Sequence, residues 1–167
     1  MKKAVFFCVA IVLLFTLSAC QKTRRTETLD QYLKAEVPLI YSEFLSFPMK
    51  DFLEDCTVNE YTCVSKSTLL FDDVYFLLSC TYTSQQYEEE IQRLVSIGAE
   101  YSDDLFGHPA YVMLLYADYY EYAIVDEQNK TIVYIHAETA DWTVFDGFPK
   151  EYLPNNTDCE ICQYSYS

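Results

Sequence analysis

The sequence predicts an α+β domain: an antiparallel sheet of about five strands with a helix packed on one face. Three observations lead there. Five segments carry strand character, at residues 57–64, 74–82, 110–116, 119–125 and 131–137. One strongly amphipathic helical stretch, residues 85–97, falls between the second and the third. The links between the last three segments are too short for parallel crossovers, so neighbouring strands must run antiparallel.

Residues 57–64 alternate loosely and are rich in Thr, Val and Tyr, the residues that suit a pleated surface. Residues 74–82 (VYFLLSCTY) form a near-continuous apolar run, as a central strand buried on both faces requires. In the last run Ile132, Tyr134 and His136 face one way and Val133 and Ile135 the other. The polar stretch before it, Asp126-Glu127-Gln128-Asn129-Lys130, reads as a turn with Asn129 in the left-handed position.

The helix has clear punctuation. Thr83-Ser84-Gln85-Gln86 matches a capping box, and Glu88, Glu89 and Glu90 follow at the positive end of the helix dipole. Tyr87, Ile91, Leu94 and Val95 are spaced along one face, and Gly98 is the expected stop. A second capping box, Thr28-Leu29-Asp30-Gln31, predicts an N-terminal helix to about residue 36, ended by Pro38. Residues 39–47 fit a helix face or a short strand equally. From Phe145 through Pro154 the chain reads as irregular coil, and residues 155–167 as a mobile tail.

The first twenty residues carry an address. Met1-Lys2-Lys3 is basic, residues 4–17 are apolar except for Thr16, and Leu17-Ser18-Ala19-Cys20 follows. Basic, apolar and small-residue regions in that order describe a secretory signal peptide. The apolar run spans only about 21 Å as a helix, against a hydrocarbon core of about 30 Å. Leu17-Ser18-Ala19-Cys20 resembles the lipobox of bacterial lipoproteins. That resemblance implies diacylglyceryl transfer to the Cys20 thiol, cleavage before Cys20, and a protein held by lipid at the outer side of the cell membrane. Two acyl chains anchor stably where one binds only marginally. The expected organisation is therefore a signal peptide (1–19), lipidated Cys20 with a polar tether to residue 27, one domain (28–154) and a tail (155–167). Lys22, Arg24 and Arg25 in the tether would lie near anionic headgroups.

The chain carries a net charge of −15, and the leader's two lysines are its only charges, so the mature chain stands at −17. Nucleic acid binding requires Lys and Arg to neutralise phosphate, and this balance excludes it. The 16 Tyr, 11 Phe and 51% hydrophobic content separate the chain from acidic disordered sequences. Between residues 47 and 154 it also resembles small exported proteins of Gram-positive bacteria. The matching stretches are the acidic helix at residues 87–94, Pro109-Ala110-Tyr111-Val112 and the hairpin strand 121–125. That resemblance implies the fold class and brings no site.

Chemistry is sparsely marked. His108 sits in a Gly-His-Pro turn and His136 on a strand, and neither has a nucleophile motif beside it. Asp72-Asp73, Asp103-Asp104 and Glu88-Glu89-Glu90 read as solvated turns or a helix start in an acidic protein. Export permits disulfides. Cys8 leaves with the leader and Cys20 carries lipid, so five cysteines remain, an odd number. Cys159 and Cys162 form a candidate thiol pair, with no second pair at metal-site spacing. Cys80 reads as a small hydrophobe in its apolar run. Cys56 and Cys63 cannot bridge if a continuous strand separates them.

What remains is tyrosine. Tyr119, Tyr120, Tyr122 and Tyr134 crowd the C-terminal strands and are candidate contacts for a protein or envelope partner, since Tyr offers an apolar body with a polar tip. The reading is a lipid-anchored envelope lipoprotein whose domain binds a partner and needs no cofactor or metal. Two alternatives stay open: an envelope hydrolase using carboxylates not located by the sequence, and a structural or folding-accessory lipoprotein.

Overall fold

The computed structural model describes residues 22–26, 46–48, 53, 56–67, 72–116, 119–139 and 149–152. The expected leader, Cys20, the N-terminal helix at 28–36, Cys159, Cys162 and the tail lie outside the described residues.

Among the described residues seven strands form one antiparallel sheet: β1 (Lys22–Thr26), β2 (Thr57–Ser67), β3 (Asp72–Thr81), β4 (Glu100–Leu105), β5 (His108–Tyr116), β6 (Tyr119–Asp126) and β7 (Thr131–Glu138). Their order across the sheet is β1-β2-β3-β7-β6-β5-β4. The helix α1 (Ser84–Ser96) leaves the centre after β3 and delivers the chain to the far edge. From there β4, β5, β6 and β7 walk back by consecutive hairpins until β7 pairs with β3. This is the α+β class, with all five expected strands present. The sequence reading of about five misses two strands. β1 pairs with β2 through residues expected to be a free tether. β4 has the sequence EYSDDL, too charged to show a strand pattern, and is mostly exposed because it is a sheet edge. Asp103 and Asp104 therefore stand in a strand, and Asp72-Asp73 opens β3, where turns were expected.

β3 and β7 are central because their side chains are apolar on both faces. Val74, Phe76, Leu78 and Cys80 point to the helix side, with Tyr61, Ala123, Ile132 and Tyr134. Tyr75, Leu77, Val133, Ile135 and Ala137 point to the other, with Tyr122 and Ile124. Both faces are buried. On the helix side Phe47 and Leu53 join α1 in the cover. On the other, Leu105 and Phe106 from the β4 end and Tyr152 pack against it. Lys150–Tyr152 is a 3₁₀ turn rather than coil, and Tyr122 Oη donates to Tyr152 O at 2.6 Å.

The helix boundaries follow the sequence. Thr83 Oγ1 accepts from Gln86 N at 3.3 Å and Gln86 Oε1 accepts from Thr83 N at 3.1 Å, the reciprocal capping box. At the other end Gly98 has φ 94°, Ala99 N reaches Leu94 O and Gly98 N reaches Val95 O, a Schellman closure that a Cβ at position 98 would strain. Two expectations fail. The first helical turn contains no acidic residue, so Glu88–Glu90 begin too late to sit at the helix end. Val95 is 54% exposed, and the inward face is instead Tyr87, Glu90, Ile91 and Leu94.

The turns set the registers. Phe106 (φ 55°) and Gly107 (φ 89°) form the two-residue β4–β5 hairpin, so His108 and Pro109 belong to β5 rather than to the turn. Both central angles are positive, the primed geometry that matches strand twist. In the β6–β7 turn it is Lys130, not Asn129, that has positive φ (52°). Asn129 is held instead by Asp126, whose carboxylate accepts from Gln128 N, Asn129 N and Asn129 Nδ2. These bonds hold the Asp126 carboxyl below its usual range. Lys130 is fixed by Tyr82 N, which donates to its carbonyl, and by the Tyr87 ring 4.8 Å from its Nζ. Among the described residues no helix is long and apolar enough to cross a membrane.

The contrast between Leu94 and Val95 is directly testable. Leu94→Ala opens a cavity between α1 and the sheet and should cost about 2–5 kcal/mol in urea unfolding. Val95→Ala should change stability by less than about 0.5 kcal/mol. Equal effects would mean that α1 is rotated from the face described.

Candidate functional site

Most of the polar side chains buried in the described residues meet at one place, between α1, the helix-side face of the sheet and Ser46-Phe47-Pro48. Glu90 comes from α1 and has no exposed surface. It accepts three hydrogen bonds: Tyr134 Oη donates to Oε1 at 2.6 Å, Arg93 Nη2 to Oε1 at 2.6 Å and Arg93 Nε to Oε2 at 2.8 Å. Tyr82 Oη lies 2.7 Å from Tyr134 Oη. A hydroxyl has one proton, and that of Tyr134 goes to Glu90, so Tyr82 donates to Tyr134. The chain of donors thus runs Tyr82 to Tyr134 to Glu90.

Arg93 extends the array outward. Its Nη2 also donates to Ser46 O at 2.6 Å, and Ser46 N donates to Glu121 Oε1 at 2.6 Å. One residue of the N-terminal segment is thereby gripped through both backbone groups, by a cation on the helix and an anion on β6. Burial works against the Arg93 charge, but the Glu90 hydrogen bonds and charge outweigh it and raise its pKa. Glu121 pairs across the ladder with His136, which has no exposed surface. His136 Nδ1 is 4.0 Å from Glu121 Oε2 and its Nε2 is 3.4 Å from Glu138 Oε1. The Tyr119 ring meets the imidazole edge-on with centroids 4.9 Å apart, and Phe76 stands on it at 6.1 Å.

This constellation of two buried carboxylates, a histidine, an arginine and two phenols contains groups used in acid–base catalysis, but its bonding is that of a clamp. Glu90 is occupied by donors on both oxygens. Burial pushes the pKa values of Tyr82 and Tyr134 up, so both phenols stay protonated and act as donors. Among the described residues no group of three or more His, Cys, Asp or Glu side chains is placed to hold a metal ion.

The structure disperses the tyrosines expected to form one binding face. Tyr134 is buried beneath α1 in the clamp. Tyr122 is buried on the opposite face, its ring edge-on to Phe106. Neither can touch a partner, because the faces on which they stand are both covered. Tyr119 and Tyr120 are half-buried, on the helix side against His136 and in the second core respectively. His108 holds the C-terminal turn, with Nε2 3.0 Å from Glu151 O and its ring on Tyr152. Among the described residues the exposed aromatic is one the sequence reading passed over: Tyr101 on β4, 59% exposed and 5.3 Å from the Tyr111 ring. Two signals pointed to the clamp. Glu90 is three residues from Tyr87, on the apolar helix face, and Glu121 interrupts an otherwise apolar strand in the same alternation as Ala123 and Val125.

No protein-family model matches the chain, nor does any curated protein or solved structure.

The buried phenols give a pH dependence. Tyr82, Tyr122 and Tyr134 all have pKa values raised by burial above the ordinary value of 10.0. Their neutral form is favoured in the folded state. Stability is fully present below about pH 10 and is lost as pH rises from there toward the folded values, by about 1.4 kcal/mol per pH unit for each phenol. Urea unfolding between about pH 10 and about pH 11 should show this fall, and Tyr122→Phe should make it shallower by up to about 1.4 kcal/mol per pH unit. A flat profile would contradict the burial.

Proposed function

We propose that the chain is a lipid-anchored lipoprotein on the extracytoplasmic side of the cell membrane. Its domain is a non-enzymatic interaction module that uses the free edge of β4. The address rests on Met1-Lys2-Lys3, the apolar run and Leu17-Ser18-Ala19-Cys20. The observation that carries the interaction reading is the sheet edge. Both faces of the central strands are buried, whereas among the described residues β4 has a neighbour on one side alone and presents Tyr101 beside Tyr111. Glu100, Asp103 and Asp104 make that edge acidic, in line with the chain's net charge of −15. An edge strand offers unpaired backbone groups to an added strand, and its side chains select the partner. The chemistry fits an extended, cationic segment of another envelope protein.

Two measurements separate address from interaction. Cys20→Ser should abolish fatty-acid labelling and release or misprocess the protein, and undiminished labelling ends the lipoprotein reading. A photo-crosslinking side chain placed at Tyr101 in living cells should give a discrete adduct that is lost with Asp103→Lys/Asp104→Lys. The same side chain at Gln92, on the exposed side of α1, should give none. Adducts of equal yield at the two positions, or at neither, would count against the β4 edge.

A further inference from the structure

Three cysteines lie among the described residues, and all three are free thiols. Cys63 is alone on β2, its pKa pushed up to about 11 by burial. Cys56 and Cys80 are not alone. In the register Val58 stands opposite Cys80, and Cys56, two residues earlier on the same face, is the diagonal neighbour of Cys80. The two thiols are near enough for each to shift the other's pKa. Diagonal Cα separations in an antiparallel pair are about 7–8 Å, and a disulfide closes at up to about 6.8 Å. The small movement needed falls to Cys56, which stands in a bend ahead of the β2 ladder, while Cys80 is paired within the central strand β3.

We propose that Cys56 and Cys80 are the two halves of a disulfide that fastens the segment ahead of β2 to the centre of the sheet. The two sulfurs are unlike, and this sets the order of events. Cys56 is half-buried, whereas Cys80 is fully buried in the central strand. Cys56 is therefore the thiol that a small-molecule disulfide can reach, and its thiolate attacks first. It displaces one thiol from a small-molecule disulfide, leaving a mixed disulfide on its sulfur. Cys80 then loses its proton and attacks the Cys56 sulfur, expelling the second thiol. Two protein thiols are oxidised and one external disulfide is reduced to two thiols. The closed loop runs from residue 56 to residue 80 and holds the β2–β3 hairpin. Leu53, three residues before Cys56 and buried in the helix-side core, is fastened with it; the Cys56 thiol already reaches the Leu53 carbonyl at 3.8 Å. The link needs no oxidant beyond a disulfide and does not depend on the β4 edge.

The test uses the full chain, reduced and then incubated with oxidised glutathione, alkylated, and digested after Lys66 and Glu60 so that Cys56 and Cys63 fall on separate peptides. The expected result is a peptide pair joined through Cys56 and Cys80, with Cys63 alkylated. Reduction should lower the Tm by on the order of 10 °C, as loss of a loop-closing link does. In Cys56→Ser, Cys80 should remain alkylatable after unfolding and the Tm should no longer respond to reductant. Alkylation of both Cys56 and Cys80 after oxidation would overturn the proposal, and so would a link from either to Cys63, Cys159 or Cys162. Because Cys56 is half-buried and at the edge of the core, its serine variant keeps the fold, and a Tm still shifted by reductant in that variant would also overturn it.

Discussion

A carboxylate with no exposed surface sits where the helix meets the sheet, and the arrangement around it follows from the need to satisfy it. An unpaired buried charge is expensive enough to unfold a domain of ordinary stability. Glu90 avoids that cost through three donors drawn from α1 and β7. Arg93, brought in to neutralise it, has donors left over, and one of them takes Ser46 O. Glu121 takes Ser46 N. The clamp thus ties together a helix, two strands and a segment more than forty residues away in the chain, each through a group whose alternative is burial without a bond.

This explains why a domain with so many tyrosines exposes few of them in its described part. The sheet is wide, and apolar side chains alternate on both faces of β3 and β7, so two cores are needed. One is closed by α1 with Phe47 and Leu53, the other by the β4 end and the Lys150–Tyr152 turn. Tyr134 and Tyr122 serve as polar ends within those cores, each hydroxyl satisfied by a specific acceptor, Glu90 in one and Tyr152 O in the other. Among the described residues, the large aromatic that stays exposed is Tyr101, which stands with acidic neighbours on the edge strand β4.

Much of the fold was legible locally. The capping box at Thr83, the stop at Gly98 and the apolar runs of β3, β6 and β7 are each encoded in neighbouring residues, and the structure places them as the sequence reads. What was hidden is nonlocal. β4 is a strand because β5 supplies its hydrogen bonds, which no pattern in EYSDDL records. Val95 fits the apolar helix face by spacing, but Glu90 displaces it, because Tyr134 and Arg93 make burial of that carboxylate worthwhile. Tyr122 and Tyr134 looked alike along the chain and ended on opposite faces, as strand alternation and the cross-strand pairs Tyr122↔Ile135 and Ala123↔Tyr134 dictate. Composition revealed that the chain was rich in tyrosine, and only packing revealed which were core.

The account depends most on the Glu90–Arg93 pair acting as one unit, and a double-mutant cycle in equilibrium unfolding addresses it directly. Glu90→Gln leaves the half-buried Arg93 beside a neutral amide and should cost about 3 kcal/mol, the low end for breaking a buried pair. Arg93→Met alone should also be costly, since it strips Glu90 of its cation and Ser46 O of its donor. Together the two should cost less than their sum, with a coupling of about 1.5–3 kcal/mol. Additive effects within about 0.5 kcal/mol would contradict the clamp as the centre of the structure.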